Sequence, residues 1–187
     1  MAASQLATEI WSLEELLNAV GDSVLSEALQ CFACDRDDDV TEFLQQHALE
    51  YERDGLCRTY LALDSDALFG GDVVIVAFFA LAMSSTCIED SEDGRRDGEE
   101  TPAFLIAHLA RCDRFSHQEY DGATLLREAE ELVFKASDIV GGQLIYLDCK
   151  VDVTTGQSKL LDYYEDHGYK ELSRSSGSVK LAKRIAR

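Results

Sequence analysis

Residues 103–136, AFLIAHLARCDRFSHQEYDGATLLREAEELVFKA, contain the pattern that decides the fold. The stretch opens with an apolar run typical of a buried strand, and a polar segment follows from 113 to 122. The apolar residues after that segment recur at the spacing of one helix face: Leu125, Leu126, Ala129, Leu132, Val133 and Ala136. A strand, a polar loop and a helix in this order predict an α/β domain with its ligand site at a strand end.

Two helices are predicted before residue 54. Ser12 followed by Glu15 is a capping box, which opens a short helix that ends near Gly21. Asp39 and Glu42 form a second helix-start signature, and that helix runs to about Arg53. The apolar segment between the two helices is compatible with either a helix or a strand.

The remaining elements continue the alternation of strands and helices. Ser158–His167 is predicted as a short helix, and 89–101 as an exposed loop that Pro102 ends. The predicted strands are CRTYLALD at 57–64, DVVIVAFFALAM at 72–83, QLIYLDCKV at 143–151 and SVKLAKRI at 178–185. We therefore expect one domain over residues 1–187, without repeats.

Composition excludes several classes of function. Seventeen basic against 36 acidic residues give a net charge of −19, which disfavours nucleic-acid phosphates as partners. The first residues lack the basic and apolar regions of a secretory signal, and the longest apolar run is too short to span a bilayer. We expect a cytoplasmic protein whose six cysteines remain reduced.

No metal site is predicted. The aspartates around Asp37 fail as a calcium loop because Val40 and Gln46 stand where Gly and Glu are required. The four histidines are scattered, and the zinc-protease, P-loop and serine-hydrolase motifs are missing from the sequence.

The central stretch resembles the GNAT superfamily of acetyl-CoA-dependent N-acetyltransferases. HLARC, HQEYDGA and TLLREAEEL are similar to the family's motif strand, pyrophosphate loop and following helix. Tyr163, Tyr164, Gly168 and Tyr169 resemble its later signature of an aromatic-Tyr pair and a Gly-Phe. A weaker likeness, over residues 32–63, is to the subgroup that includes toxin-type acetyltransferases.

The resemblance implies a GNAT fold, which is a mixed, mostly antiparallel sheet flanked by helices. Residues 1–30 would be an N-terminal helical extension, and 103–172 the acyl-CoA-binding core. The implied activity is transfer of an acetyl group from acetyl-CoA to a primary amine by direct attack on the thioester. The implied partner is a small-molecule or protein amine, and the chain would act as a monomer or homodimer.

The resemblance also assigns site residues. Tyr164 would be the general acid, and His108 is the best-placed titratable group for a general base, ahead of Asp148 and Cys149. The donor's pantetheine arm would pair with the backbone of the motif strand, and its pyrophosphate would bind the loop and helix start. The implied donor-binding residues are Leu109, Ala110, Arg111, His117, Gln118, Gly122, Ala123 and Gln157.

The loop departs from the family pattern. His117 replaces the usual Gln or Arg, Tyr120 stands where the first Gly is expected, and the loop is one residue longer. Small residues allow the backbone to approach phosphates closely, so a tyrosine at this position favours an alternative hypothesis. That alternative is a non-catalytic interaction or regulatory domain with the same fold.

A third hypothesis is a toxin-type enzyme that acetylates aminoacyl-tRNA. The net charge argues against it. A basic patch beside the acceptor cleft would favour it, and the candidate residues are Arg111, Arg114, Lys159 and Lys170.

Overall fold

The structure is a computed structural model that describes residues 5–87 and 100–185. Its strands belong to a seven-stranded sheet in the order β1-β2-β3-β4-β5-β7-β6. Strands β4 and β5 are parallel, whereas β1–β2, β2–β3, β5–β7 and β6–β7 are antiparallel. The strands are β1 Thr8–Ser12, β2 Arg58–Asp64, β3 Ile75–Cys87, β4 Glu100–Arg111, β5 Leu144–Lys150, β6 Lys170–Ser175 and β7 Ser178–Arg184.

The helices lie before, between and after the strands in the chain. They are α1 Leu13–Gln30, α2 Asp38–Glu42, α3 Ala48–Arg53, α4 Ser65–Gly70, α5 Gly122–Val140 and α6 Lys159–Asp166. A π-helical turn, Phe43–His47, joins α2 to α3 without a break. Within the described ranges, none of these helices has the length and apolar character needed to cross a membrane.

The chain divides into two compact units. Of the described residues, unit 1 comprises 5–81 and 108–129, and unit 2 comprises 82–87, 100–107 and 130–185. The core of unit 1 includes fully buried residues from α1 and β3, such as Leu13, Leu16 and Phe78. Ser12 caps α1 as predicted, because its hydroxyl accepts the Glu15 N–H while the Glu15 carboxylate accepts the Ser12 N–H.

Unit 2 has its own core on β4, β5 and β7. Ala103, Leu144, Tyr146 and Ala182 pack together there, with the partly buried Leu105 and Leu172 against them. Gly142, just before β5, has a φ of +118°, and a Cβ at this position would lie 2.5 Å from the Phe104 ring. The turn into β5 therefore requires glycine for both its backbone angle and its close packing.

The structure differs from the sequence-based expectations in several places. Gly21 is a kink with φ of +82° inside α1, and the helix continues to Gln30. The second helix is capped by Asp37, two residues before the predicted Asp39. Thr8–Ser12, inside the expected helical extension, is strand β1, and α4 and β6 were not predicted. Pro102 lies within β4, and residues 89–99 of the predicted loop lie outside the described residues.

Candidate functional site

The first feature of the site is the short pairing between β4 and β5 in unit 2. Their parallel register joins Ala103 to Leu144 and ends at Leu105 with Tyr146. Both strands continue, to Arg111 and Lys150, and β5 stays paired with β7 along its other edge. Beyond Leu105 and Tyr146, the facing edges therefore have backbone groups that no described strand pairing satisfies, and buried backbone polar groups require partners.

The loop between β4 and α5 lies in unit 1 and is held by its own side chains. Glu119 accepts hydrogen bonds from the N–H and hydroxyl of Ser116, at 2.7 and 2.8 Å. These bonds lower the pKa of the Glu119 carboxyl, with a smaller contribution from the charge of Arg111. His117 and Gln118, at the tip of this turn, are exposed.

Helix α5 begins at Gly122, and Asp121 caps it. The Asp121 carboxylate accepts the Thr124 N–H at 2.6 Å. The sequence contained a signal for this cap, since aspartate is one of the favoured N-cap residues. Gly122 and Ala123 follow as the first two helical residues.

Arg111 has a structural role that its sequence position did not reveal. Its Nη1 donates to the Tyr120 carbonyl at 2.9 Å, so the side chain ties the end of β4 to the loop. Its Nε is buried and meets no acceptor in the described ranges. Leu109 is partly buried and Ala110 is buried on the same strand.

The Tyr120 side chain is turned into unit 1 and is 2% exposed. Burial raises the pKa of its phenol, and the neighbouring carboxylates of Glu128 and Asp121 add to the effect. The Thr8 side chain is near enough to the hydroxyl to oppose this shift, although no hydrogen bond of good geometry forms among the described residues. The ring therefore does not contribute to the exposed surface of the loop.

His108 stacks on Phe43 in unit 1. Their ring centroids are 4.0 Å apart and the planes are inclined by 20°. Phe43 is the first residue of the π-helical turn, a rare distortion that is often found at functional sites. A π-helical turn leaves no periodic signal in a sequence, so the contact of Phe43 with His108 was not predicted.

Tyr164 lies in unit 2 on the buried face of α6, and it is 8% exposed. Its ring packs edge-on against Tyr163 at 5.4 Å and against Tyr169 at 5.8 Å. Burial is the main cause of its raised pKa, followed by the buried thiol of Cys149. Within residues 100–185, its hydroxyl makes no hydrogen bond, so it can donate to a ligand.

Most of the other predicted residues are exposed. Gln157 is exposed in the turn before α6, where its carbonyl accepts the Asp152 N–H at 3.1 Å. Asp148 is exposed and Cys149 is buried on β5. Lys159 and Lys170 are exposed in unit 2, and Arg114 is exposed in unit 1. In the described part of the chain, no three His, Cys, Asp or Glu side chains are grouped to hold a metal ion.

No protein-family model matches the chain. Several solved structures align with it over nearly the whole length. One is a mutant of the toxin AtaT, bound to the C-terminus of the antitoxin AtaR and to acetyl-CoA. It is 19% identical to this chain, with 97% of this chain and 94% of that chain covered and a TM-score of 0.66. AtaT complexed with acetyl-methionyl-tRNAfMet is 19% identical, with 93% and 94% covered and a TM-score of 0.70.

A mutant of KacT is 16% identical, with 97% of this chain and 95% of that chain covered and a TM-score of 0.71. At these identities the likeness shows the fold. The chain has the GNAT fold, with a mostly antiparallel sheet flanked by helices, and the predicted similarity to toxin-type GNAT structures is confirmed.

Proposed function

We propose that this chain, which has the GNAT fold, is an acetyl-CoA-dependent N-acetyltransferase. One observation carries the proposal: β4 and β5 stop pairing at Leu105 and Tyr146 although both strands continue. The end of a strand pairing suits a ligand whose own amide groups can continue the ladder. A pantetheine arm is such a ligand.

The helix start supports the same donor. Gly122 and Ala123 lie in the first turn of α5, where backbone N–H groups suit a phosphate oxygen. Bound acetyl-CoA would supply the activated acetyl thioester. The side chains of the chain would then orient the acceptor amine and handle its protons.

Tyr164 is proposed as the general acid. Its raised pKa keeps the phenol protonated throughout the neutral range, so its hydroxyl can donate to the sulfur as the thiolate leaves. His108 is proposed to accept the proton that the amine loses as the new N–C bond forms and the C–S bond breaks. Its stacking on Phe43 would hold the imidazole in one orientation during that step.

Aminoacyl-tRNA is the first acceptor to test. AtaT, which aligns with 93% of this chain, has been solved with acetyl-methionyl-tRNAfMet. The net charge alone is therefore a weaker argument against nucleic acid than the sequence suggested, because the local distribution of charge decides phosphate binding. The amine of the aminoacyl group would be the nucleophile.

A small or protein-borne amine is the second candidate, and the net charge of −19 favours it. A strongly negative field raises the local concentration of ammonium substrates and repels polyanions. Polyamines and basic peptides are thus the matched alternative acceptors.

A transfer assay with labelled acetyl-CoA decides among these possibilities. Charged total tRNA, uncharged tRNA, a polyamine mixture and peptides with free amines are offered to the wild-type protein and to Tyr164→Phe. Tyr163→Phe is the matched control, because it removes the neighbouring phenol from the same helix. Label on charged tRNA alone would support the toxin-type activity, and label on polyamines or peptides the second candidate.

We expect Tyr164→Phe to lower the transfer rate about a hundredfold, a typical effect for a lost general acid, and to leave donor binding unchanged. An equal loss in Tyr163→Phe would contradict the assignment of Tyr164. No transfer to any acceptor, together with no binding of acetyl-CoA, would overturn the enzymatic proposal and favour a non-catalytic domain.

A further inference from the structure

One side chain of unit 2 lies at the point where the β4–β5 pairing ends. Tyr146 on β5 is the partner of Leu105 on β4 in the last pair of that register. Its side chain is 5% exposed and packs in the core of unit 2 beside Ala103 and Ala182. A residue at this position can influence whether the two strands separate or stay paired.

The hydroxyl of Tyr146 reaches past β4. It donates to the Ser84 Oγ on β3 at 2.7 Å. In the sheet β4 lies between β3 and β5, so β3 is two strand spacings, about 10 Å, from β5. The side chain of Tyr146 therefore crosses β4 on one face of the sheet and connects β5 to β3.

A second contact holds the ring from the other neighbour of β5, which is β7. The ammonium of Lys180 lies 4.8 Å from the centroid of the Tyr146 ring, within the range of a cation–π interaction. Lys180 is two residues from Ala182, the residue that pairs with Tyr146, so it lies on the same face of the sheet. The ring is thus placed by β7 and its hydroxyl by β3.

The pairing of β5 differs between its two edges. Its register with β7 runs over the whole strand, from Leu144 with Arg184 to Lys150 with Ser178. Its register with β4 stops at Tyr146. Strand β5 therefore keeps its course along β7 where it leaves β4, and the hydrogen bond to Ser84 fixes its separation from β3 at that point.

We propose that Tyr146 is a positioning residue for the acyl donor, because its bond to Ser84 holds open the gap between β4 and β5 in which the pantetheine arm binds. The inference rests on the proposed function. With the bond in place, the gap exists before the donor arrives. Without it, β4 and β5 can extend their parallel pairing past Leu105, since backbone groups require partners, and the donor must first separate them.

The hydrogen bond limits the size of the effect. It can bias the strands toward the open arrangement by no more than its own contribution to stability, and a bond between two uncharged hydroxyls changes an equilibrium about fivefold. We therefore expect Tyr146→Phe and Ser84→Ala each to weaken the binding of acetyl-CoA about fivefold. The double variant should bind no more weakly than either single variant, because both substitutions remove the same bond.

The experiment is calorimetric titration of the wild type and these three variants with acetyl-CoA. Ser84→Ala keeps the Tyr146 ring and its packing, so it tests the bond even if Tyr146→Phe folds poorly. Circular dichroism and the Tm of each variant report on folding.

Ser137→Ala is the matched control in unit 2. Ser137 is 5% exposed on α5, and its hydroxyl donates to the Phe134 carbonyl at 2.8 Å. This variant also loses a buried hydrogen bond, so its Tm should fall about as much as that of Ser84→Ala. Its affinity for acetyl-CoA should equal that of the wild type, which separates positioning of the donor from a general loss of stability.

Three results would overturn the inference and leave the proposed function standing. The first is wild-type affinity for acetyl-CoA in a folded Tyr146→Phe or Ser84→Ala. The second is a loss of affinity in Tyr146→Phe that a folded Ser84→Ala does not share. The third is an equal loss in Ser137→Ala. If the wild type does not bind acetyl-CoA, the proposed function and the inference fail together.

Discussion

Lys183→Met should destabilise unit 2 through a small, partly buried cluster. We call it the Glu130 cluster and define it as Glu130, Tyr169 and Lys183. The ammonium of Lys183 lies 2.9 Å from both carboxylate oxygens of Glu130, and the Tyr169 hydroxyl donates to the same carboxylate at 2.9 Å. The Glu130 side chain is 12% exposed and that of Lys183 is 28% exposed. Methionine keeps most of the lysine stem and removes the charge.

The loss of one partner from a fully buried ion pair costs about 3–5 kcal/mol, because the other charge stays buried without compensation. Here water reaches part of the lysine and Tyr169 still donates, so we expect about 2 kcal/mol. For a chain of this length, that corresponds to a fall in Tm of about 4–8 °C. The assay is thermal unfolding followed by circular dichroism.

Arg174→Met is the matched control. Arg174 and Glu171 approach to 2.6 Å, but both side chains are more than a third exposed, so little change in Tm is expected. The double variant Lys183→Met with Glu130→Gln should recover part of the loss, since no carboxylate is then left unpaired. Equal shifts in Lys183→Met and Arg174→Met, or a double variant less stable than Lys183→Met, would refute the reasoning.

Two further predictions concern stability. Gly142→Ala should lower the free energy of unfolding by about 3 kcal/mol, because it combines strain at positive φ with a clash against the Phe104 ring. Gly141 has a φ of +82° but open space around it, so Gly141→Ala should cost only about 1 kcal/mol. Equal melting temperatures for the two variants would contradict the packing argument. Burial raises the pKa of Tyr120 and Tyr169 in the folded state, so their contribution to stability is complete below the unfolded value of about 10 and is lost as pH rises above it. Melting temperatures measured from pH 8 to 11 should fall above about pH 10. A flat profile there would show that folding does not raise the pKa of these phenols.

Elements with a local signal could be predicted from the sequence. The Ser12 capping box, the apolar stripe of α5 and the Ser158 cap of α6 each depend on residues close in the chain, and all three are present. The missed strand β6 lacks a sequence pattern of its own. Strand β6 is almost wholly exposed and carries no apolar alternation, so its pairing with β7 defines it.

In the site, too, only the features with a local sequence signal could be predicted. The loop and helix start could be located from the order of strand, polar segment and helix. The tie between Arg111 and the Tyr120 carbonyl, and the stacking of His108 on Phe43, join residues that no short motif connects. The end of the β4–β5 pairing is likewise a property of the register, which the individual strand sequences do not specify.

Hydrogen exchange of the wild-type protein, measured with and without acetyl-CoA, tests whether the donor binds between β4 and β5. If the donor completes the ladder where β4 and β5 stop pairing, the amides within 106–111 and 147–150 should become protected on binding, while β6 should exchange as before. Binding of acetyl-CoA that leaves both segments unprotected would place the donor elsewhere and contradict the account.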